Sequence, residues 1–158
     1  MSWSVRHVTP EDIPYLVAAV LNLVGELRGE PAVIPQASQA AHDLVGDEEA
    51  GLALMAVDDE GQPLGVATAS YQLAVRTGGP YAIIQELWVD PGARGRGVAG
   101  ALISALCDKA RARGCTVVEV GLPRSSSAPF ATAHRSYLSW GFQDLGLRMR
   151  KVITDADG

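Results

Sequence analysis

The chain is poor in the residues that mark specialised architectures. Of its 158 residues, two are cysteine, three histidine, three methionine and two phenylalanine. Two thiols, Cys107 and Cys115, make neither a disulfide framework nor a metal set, and both read as buried side chains. His7, His42 and His134 are scattered without ligand spacing, so no metal is expected. No apolar run is long enough to span a bilayer, and the opening MSWSVRHVTP lacks the apolar core of a signal peptide. Positive charge is also short: 13 Lys and Arg face 18 Asp and Glu, a net charge of −5 with a pI near 5.1. A general nucleic-acid binder needs a basic footprint, so that class is excluded. An acidic surface would instead draw a cationic ligand. The expectation is a cytoplasmic protein with no metal and no nucleic-acid or membrane partner. A homodimer is compatible with it.

What is present is ordinary for a globular domain: 47% hydrophobic and 20% charged residues. Without a linker, repeat or low-complexity tract, residues 1–153 read as one domain, with TDADG (154–158) as a frayed tail. Val5 to Val8 suggest a short strand. In TPEDIP, Asp12 is favoured over Thr9 as helix cap because Pro14 then falls in the first turn. Ile13, Leu16, Val17, Val20, Leu21, Val24 and Leu27 recur at helical spacing. A weaker helix covers Gln36 to Val45. LALMAVDDEGQPLGVATASYQLAV reads as a hairpin and YAIIQELWV as a third strand. A helix follows with Val98, Leu102, Ile103, Leu106 and Ala110 on one face and Gly114 just past its end. CTVVEVGL is a strand, FATAHRSYLSW a helix stopped by Gly141, and LRMRKVI a closing strand. The irregular alternation implies an α/β chain with a mixed sheet and helices on both faces.

One stretch conflicts with local electrostatics. In VDPGARGRGVAGALISAL, Arg94 and Arg96 stand at a helix start, where the helix dipole disfavours cations. The first amides of a helix lack internal partners and form an anion site. Gly95 and Gly97 permit unusual dihedrals, and arginine adds charge-assisted bonds to phosphate. The stretch makes sense if the missing negative charge arrives on a phosphorylated ligand. It is neither GxxxxGK[ST] nor GxGxxG. Taken alone, it reads more simply as a glycine-rich turn with solvated arginines.

Its context resembles the GNAT superfamily of acetyl-CoA-dependent N-acetyltransferases. The family signature [RQ]-x-x-G-x-[GA] is matched by Arg94-Gly95-Arg96-Gly97-Val98-Ala99, and Y-x-x-x-G-F by Tyr137-Leu138-Ser139-Trp140-Gly141-Phe142. The order of elements agrees over nearly the whole chain. The resemblance implies a central mixed, mostly antiparallel sheet flanked by about four helices. It further implies that amides of Arg96, Gly97, Val98 and Ala99 hold the coenzyme A pyrophosphate, with Arg94 and Gly95 completing the loop. Leu87, Trp88 and Val89 would pair with the pantetheine arm, and an amide near Trp88 or Val89 would meet the oxyanion. Where many members carry an asparagine this chain has RSSSAPF, so Ser125, Ser126 or Ser127 stands in, with Ser126 the nominee, or the contact is missing. GFQDLGLRMRKVI is short for the family's closing pair of strands.

Acyl transfer from a thioester to an amine needs a neutral amine, an oxyanion donor and an acid for the leaving thiolate. Tyr137 is the candidate acid, with a packing aromatic as the plainer reading. Glu86 is the candidate base, and binding a cationic substrate in a solvated cleft is an equal alternative. His134 lies three residues before Tyr137 on a similar helical face and could line the cofactor site, though it reads more simply as solvated. Glu26 and Glu30 could attract a cation and Val33 and Ile34 form an apolar wall, though a solvated acidic loop with two anchoring apolar residues is the simpler reading. The function expected is acetyl transfer to a primary amine of a small molecule or protein. The competing class is a non-catalytic acyl-CoA-binding regulatory module, which would need neither Tyr137 nor Glu86.

Overall fold

The structure, a computed structural model, describes residues 2–153; the expected tail at 154–158 lies outside them. They form two compact units, divided between Val120 and Gly121.

The first unit holds five strands in sequence order across one sheet: β1 (Trp3–His7), β2 (Gly51–Asp58), β3 (Pro63–Ala74), β4 (Gly79–Val89) and β5 (Val118–Val120). All neighbours are antiparallel except β4 and β5. Three helices join them: α1 (Ile13–Arg28), α2 (Ala37–Val45) and α3 (Val98–Ala112). The sheet is mixed and mostly antiparallel, as expected.

Residue parity along β2 explains the layering. Ala53, Met55 and Val57 enter one core cluster with Val8, Ile13, Leu16 and Ala19, under α1 and α2. The intervening Leu52, Leu54 and Ala56 are also buried, on the opposite face, where α3 packs. A strand covered on both sides reads as a continuous apolar run, which LALMAV is. The apolar face anticipated for α3 is buried in full: Val98, Leu102, Ile103, Leu106 and Ala110. Each fully buried leucine is worth about 1.5–3 kcal/mol of transfer free energy.

The entry to α1 uses both capping candidates. Asp12 occupies the N-cap position, yet its carboxylate turns back to accept from the Thr9 amide at 2.8 Å and hydroxyl at 2.9 Å. Arg6 of β1 donates to the same carboxylate at 2.6 and 3.1 Å. One side chain thus ties strand, turn and helix.

The second unit contains one helix, α4 (Phe130–Ser139), stopped as anticipated near Gly141, whose φ is 91°. The closing strand expected over LRMRKVI is not formed: residues 143–153 take no regular structure. Its alternating pattern is β-prone, but a strand exists only where another segment completes the ladder. Leu145, Leu147, Met149 and Ile153 are instead exposed. The strand read from CTVVEVGL contracts to three residues.

Arg6, first, and the Thr9 amide hold the Asp12 carboxyl well below the usual carboxylate range. A depressed folded-state pKa stabilises at neutral pH, and that stability fades as pH falls through the carboxylate range. Asp12→Asn should therefore lower the melting temperature at pH 7, with the gap to wild type closing below about pH 4.

Candidate active site

The arginine-glycine loop connects β4 to α3. Asp90 accepts from the Gly92 amide at 3.0 Å, closing a 3-10 turn over Pro91–Ala93. Buried Ala93 pins that turn, and residues 94–97 project into solvent. Gly95 and Gly97 take φ of 80° and 85°, the left-handed region that β-carbons disfavour. A β-carbon built on either would meet nothing within 4 Å, so glycine is needed here for its dihedrals. Gly97 is the N-cap of α3; no side chain caps the helix, and no acid occupies its first turn. Helix amides normally find a capping side chain or water. Here no side chain caps them, and the loop residues before them are exposed.

The two arginines part company. Arg96 donates to the Gly92 carbonyl at 2.8 Å and stays beside the loop. Arg94 turns back toward the sheet: Nε donates to the Val89 carbonyl at 2.9 Å, and NH2 to Glu26 at 3.0 and 3.2 Å. The Trp88 indole donates to the same Glu26 at 3.2 Å, and the Arg94 guanidinium lies 6.0 Å from the Trp88 ring centre. Arg94 thus supports the loop from behind. Both charges are about half exposed, and such pairs contribute at most about 1 kcal/mol, so this one orients more than it stabilises.

Glu26 carries a structural load that neither sequence reading, a solvated acidic loop or an attractor of cations, gave it. Together with Glu30, Asn22 and Gly25 it also lines an open cleft of about 440 Å³ at the end of α1. Val33, anticipated as part of an apolar wall, is 84% exposed.

Strand β4 contributes two features. Leu87, Trp88 and Val89 pair with Ala67, Val66 and Gly65 of β3 on one side. On the other side β5 pairs only with Ala82, Ile83 and Ile84. Beyond Ile84 that edge of β4 has no strand partner among the described residues. An unpaired edge is a template for an extended guest.

The second feature is a bulge. Thr68 faces Glu86 while Ala69 faces Ile84, leaving Gln85 as the extra residue. Ala82 packs with Ala110 of α3, whereas Trp88 belongs to the cluster under α1. The bulge reverses side-chain parity and so brings Glu86 out of the α3-facing core onto the α1 face. There Glu86 accepts from the Thr68 hydroxyl, which in turn accepts from the Glu86 amide at 3.2 Å. Thr68 was not anticipated. The doubled apolar pair Ile83-Ile84 before the polar pair Gln85-Glu86 is the break in alternation that marks it.

The remaining nominees lie in the second unit. Tyr137 of α4 is buried, edge-on to Trp140 and Phe142 at 5.1 and 5.2 Å. Burial pushes its phenol up to about 12, so it holds its proton at neutral pH. His134 is not simply solvated: it stacks on Phe130 and lies 2.7 Å from an Asp144 carboxylate oxygen. Ser126 is exposed, while the Ser127 hydroxyl donates to the Arg124 carbonyl at 2.7 Å.

Cys107 is half-buried and Cys115 buried, and burial raises both thiols. Among the described residues no group of three or more His, Cys, Asp or Glu could hold a metal, and no helix is long and apolar enough to cross a membrane.

Alanine at position 97 would hold a β-carbon in the left-handed region at a cost of about 1 kcal/mol. Gly97→Ala should lower the melting temperature by roughly 2–4 °C, read by calorimetry.

Several solved structures share this architecture. A "possible acetyltransferase" of Clostridium difficile superposes with a TM-score of 0.82 at 15% identity, covering 98% of this chain and 99% of that one. An aminoglycoside antibiotic 6'-N-acetyltransferase of Acinetobacter baumannii gives 0.76 at 18% identity, covering 97% and 100%. A predicted acetyltransferase of Clostridium acetobutylicum, solved with acetyl-CoA, gives 0.75 at 16% identity, covering 96% of both chains. Comparison with curated proteins finds no match. The model of the acetyltransferase (GNAT) family matches residues 21–142. With its signature loop at the start of α3 and that match over most of its length, the chain belongs to the GNAT family of acetyltransferases.

Proposed function

We propose that this acyltransferase moves an acetyl group from acetyl-CoA to a primary amine, by direct attack with both substrates bound. One observation carries the reading. The start of α3, which no side chain caps, follows by one loop the stretch of β4 whose edge has no strand partner among the described residues. A diphosphate fits the first feature and an extended amide-bearing arm fits the second. On this reading the amides of Arg96, Gly97, Val98 and Ala99 bind the pyrophosphate, and Arg96 adds charge. Arg94 holds the loop through Glu26 and Val89, Gly95 supplies its turn, and Leu87, Trp88 and Val89 offer backbone groups to the pantetheine arm.

Each side chain then has a task set by its chemistry. An alkylamine titrating near ~10.4 must lose a proton before its nitrogen can attack. Glu86 accepts that proton, directly or through water. The amide of Trp88 or Val89 donates to the developing oxyanion. As the carbon–nitrogen bond forms and the carbon–sulfur bond breaks, Tyr137 gives its phenolic proton to sulfur, and the second proton shed by the new amide nitrogen returns through water to the phenolate. A phenol near 12 is fully protonated at working pH, so a hydrogen is always present to bond the developing thiolate as the carbon–sulfur bond breaks. With Glu26 paired to Arg94, Glu30 is the carboxylate of the open cleft at the end of α1 that favours a cationic, small-molecule acceptor.

The test is thiol release from acetyl-CoA with a panel of ethanolamine, putrescine, lysine, kanamycin and an alanyl peptide. Turnover with one or more supports the proposal. Tight acetyl-CoA binding with no turnover across the panel would favour a regulatory module. Tyr137→Phe should lower kcat by about 100-fold with acetyl-CoA affinity nearly unchanged; equal loss of both would remove its acid role. Arg96→Glu should weaken acetyl-CoA binding by about tenfold in calorimetry, the loss of a charge-assisted phosphate contact.

A further inference from the structure

Among the described residues, Thr68 is the one polar side chain in the fully buried core, 1% exposed. A buried hydroxyl requires partners, and Thr68 finds both on a single residue. Its Oγ1 donates to Oε1 of Glu86 and accepts from the Glu86 amide at 3.2 Å. The bulge at Gln85 sets the two residues opposite each other.

We infer that Thr68 is a positioning residue that holds Oε1 of Glu86 and leaves Oε2 to take the proton from the acceptor amine. The inference rests on Glu86 acting as the base. Glu86 itself is only partly buried, and its side chain has several staggered rotamers. The Thr68 hydroxyl selects among them from a site that water does not reach. Its only proton is spent on Oε1, and its amide contact fixes the hydroxyl to the same residue's backbone. The carboxylate is thereby registered against β4 itself, the strand proposed to carry the thioester arm. Displacing a reacting group by about 1 Å costs up to about 100-fold in rate.

Thr68→Val keeps shape and removes the hydroxyl; Thr68→Ala is a second hydroxyl-free variant; Thr68→Ser keeps the hydroxyl. The readouts are thiol release with the fastest panel amine, acetyl-CoA affinity by calorimetry, and the Glu86 carboxylate position in crystals of each variant. The hydroxyl-free variants should lose at least about tenfold in kcat with affinity within about twofold, and their carboxylate should leave the Thr68-facing rotamer. Thr68→Ser should restore both. In a Glu86→Gln background, removing the hydroxyl should cost nothing further. An unmoved carboxylate in Thr68→Val, equal losses in Val and Ser variants, or losses that multiply with Glu86→Gln would overturn the proposal. A Glu86→Gln enzyme of undiminished kcat would instead remove the base itself. The crystals would then still show whether Thr68 grips the carboxylate.

Discussion

Strand β4 is the constraint on which the site depends, because it is bound on one side along its length and on the other for three residues. A strand in mid-sheet would have all its ladder groups satisfied; an edge strand would leave them all open. This one is both, and the change falls after Ile84. The closed half is held between β3 and β5 and packs on α3 through Ala82. The open half carries Glu86, Trp88 and the entry to the arginine-glycine loop.

The loop is held from two directions. The Asp90 turn and buried Ala93 fix it from the strand side, while Glu26 reaches from α1 to catch Arg94 and Trp88. The helix proposed to border the acceptor and the loop proposed to bind the cosubstrate therefore share a carboxylate.

Much of this was legible in the residues. Periodicity located α1 and α3, and the face of α3 was read residue for residue. Motif spacing located the loop and nominated its amides. What escaped depends on long-range pairing. The partners of Glu26 lie 62 and 68 positions away, beyond any helical or strand period. LRMRKVI has the composition of a strand but no ladder among the described residues, and composition cannot supply a partner. The bulge lay in plain view as a doubled apolar pair followed by a doubled polar pair, yet a run of β-prone residues conceals a change of parity. Thr68 reads as an ordinary strand residue until that parity is known.

The extra residue at position 85 also separates two kinds of damage. Excising Gln85 would turn the carboxylate of its neighbour toward the apolar side chains beneath α3, where an unpaired charge is costly to bury. The two halves of a single strand thus answer to different rules: apolar packing before the kink, and a carboxylate held by a threonine hydroxyl after it.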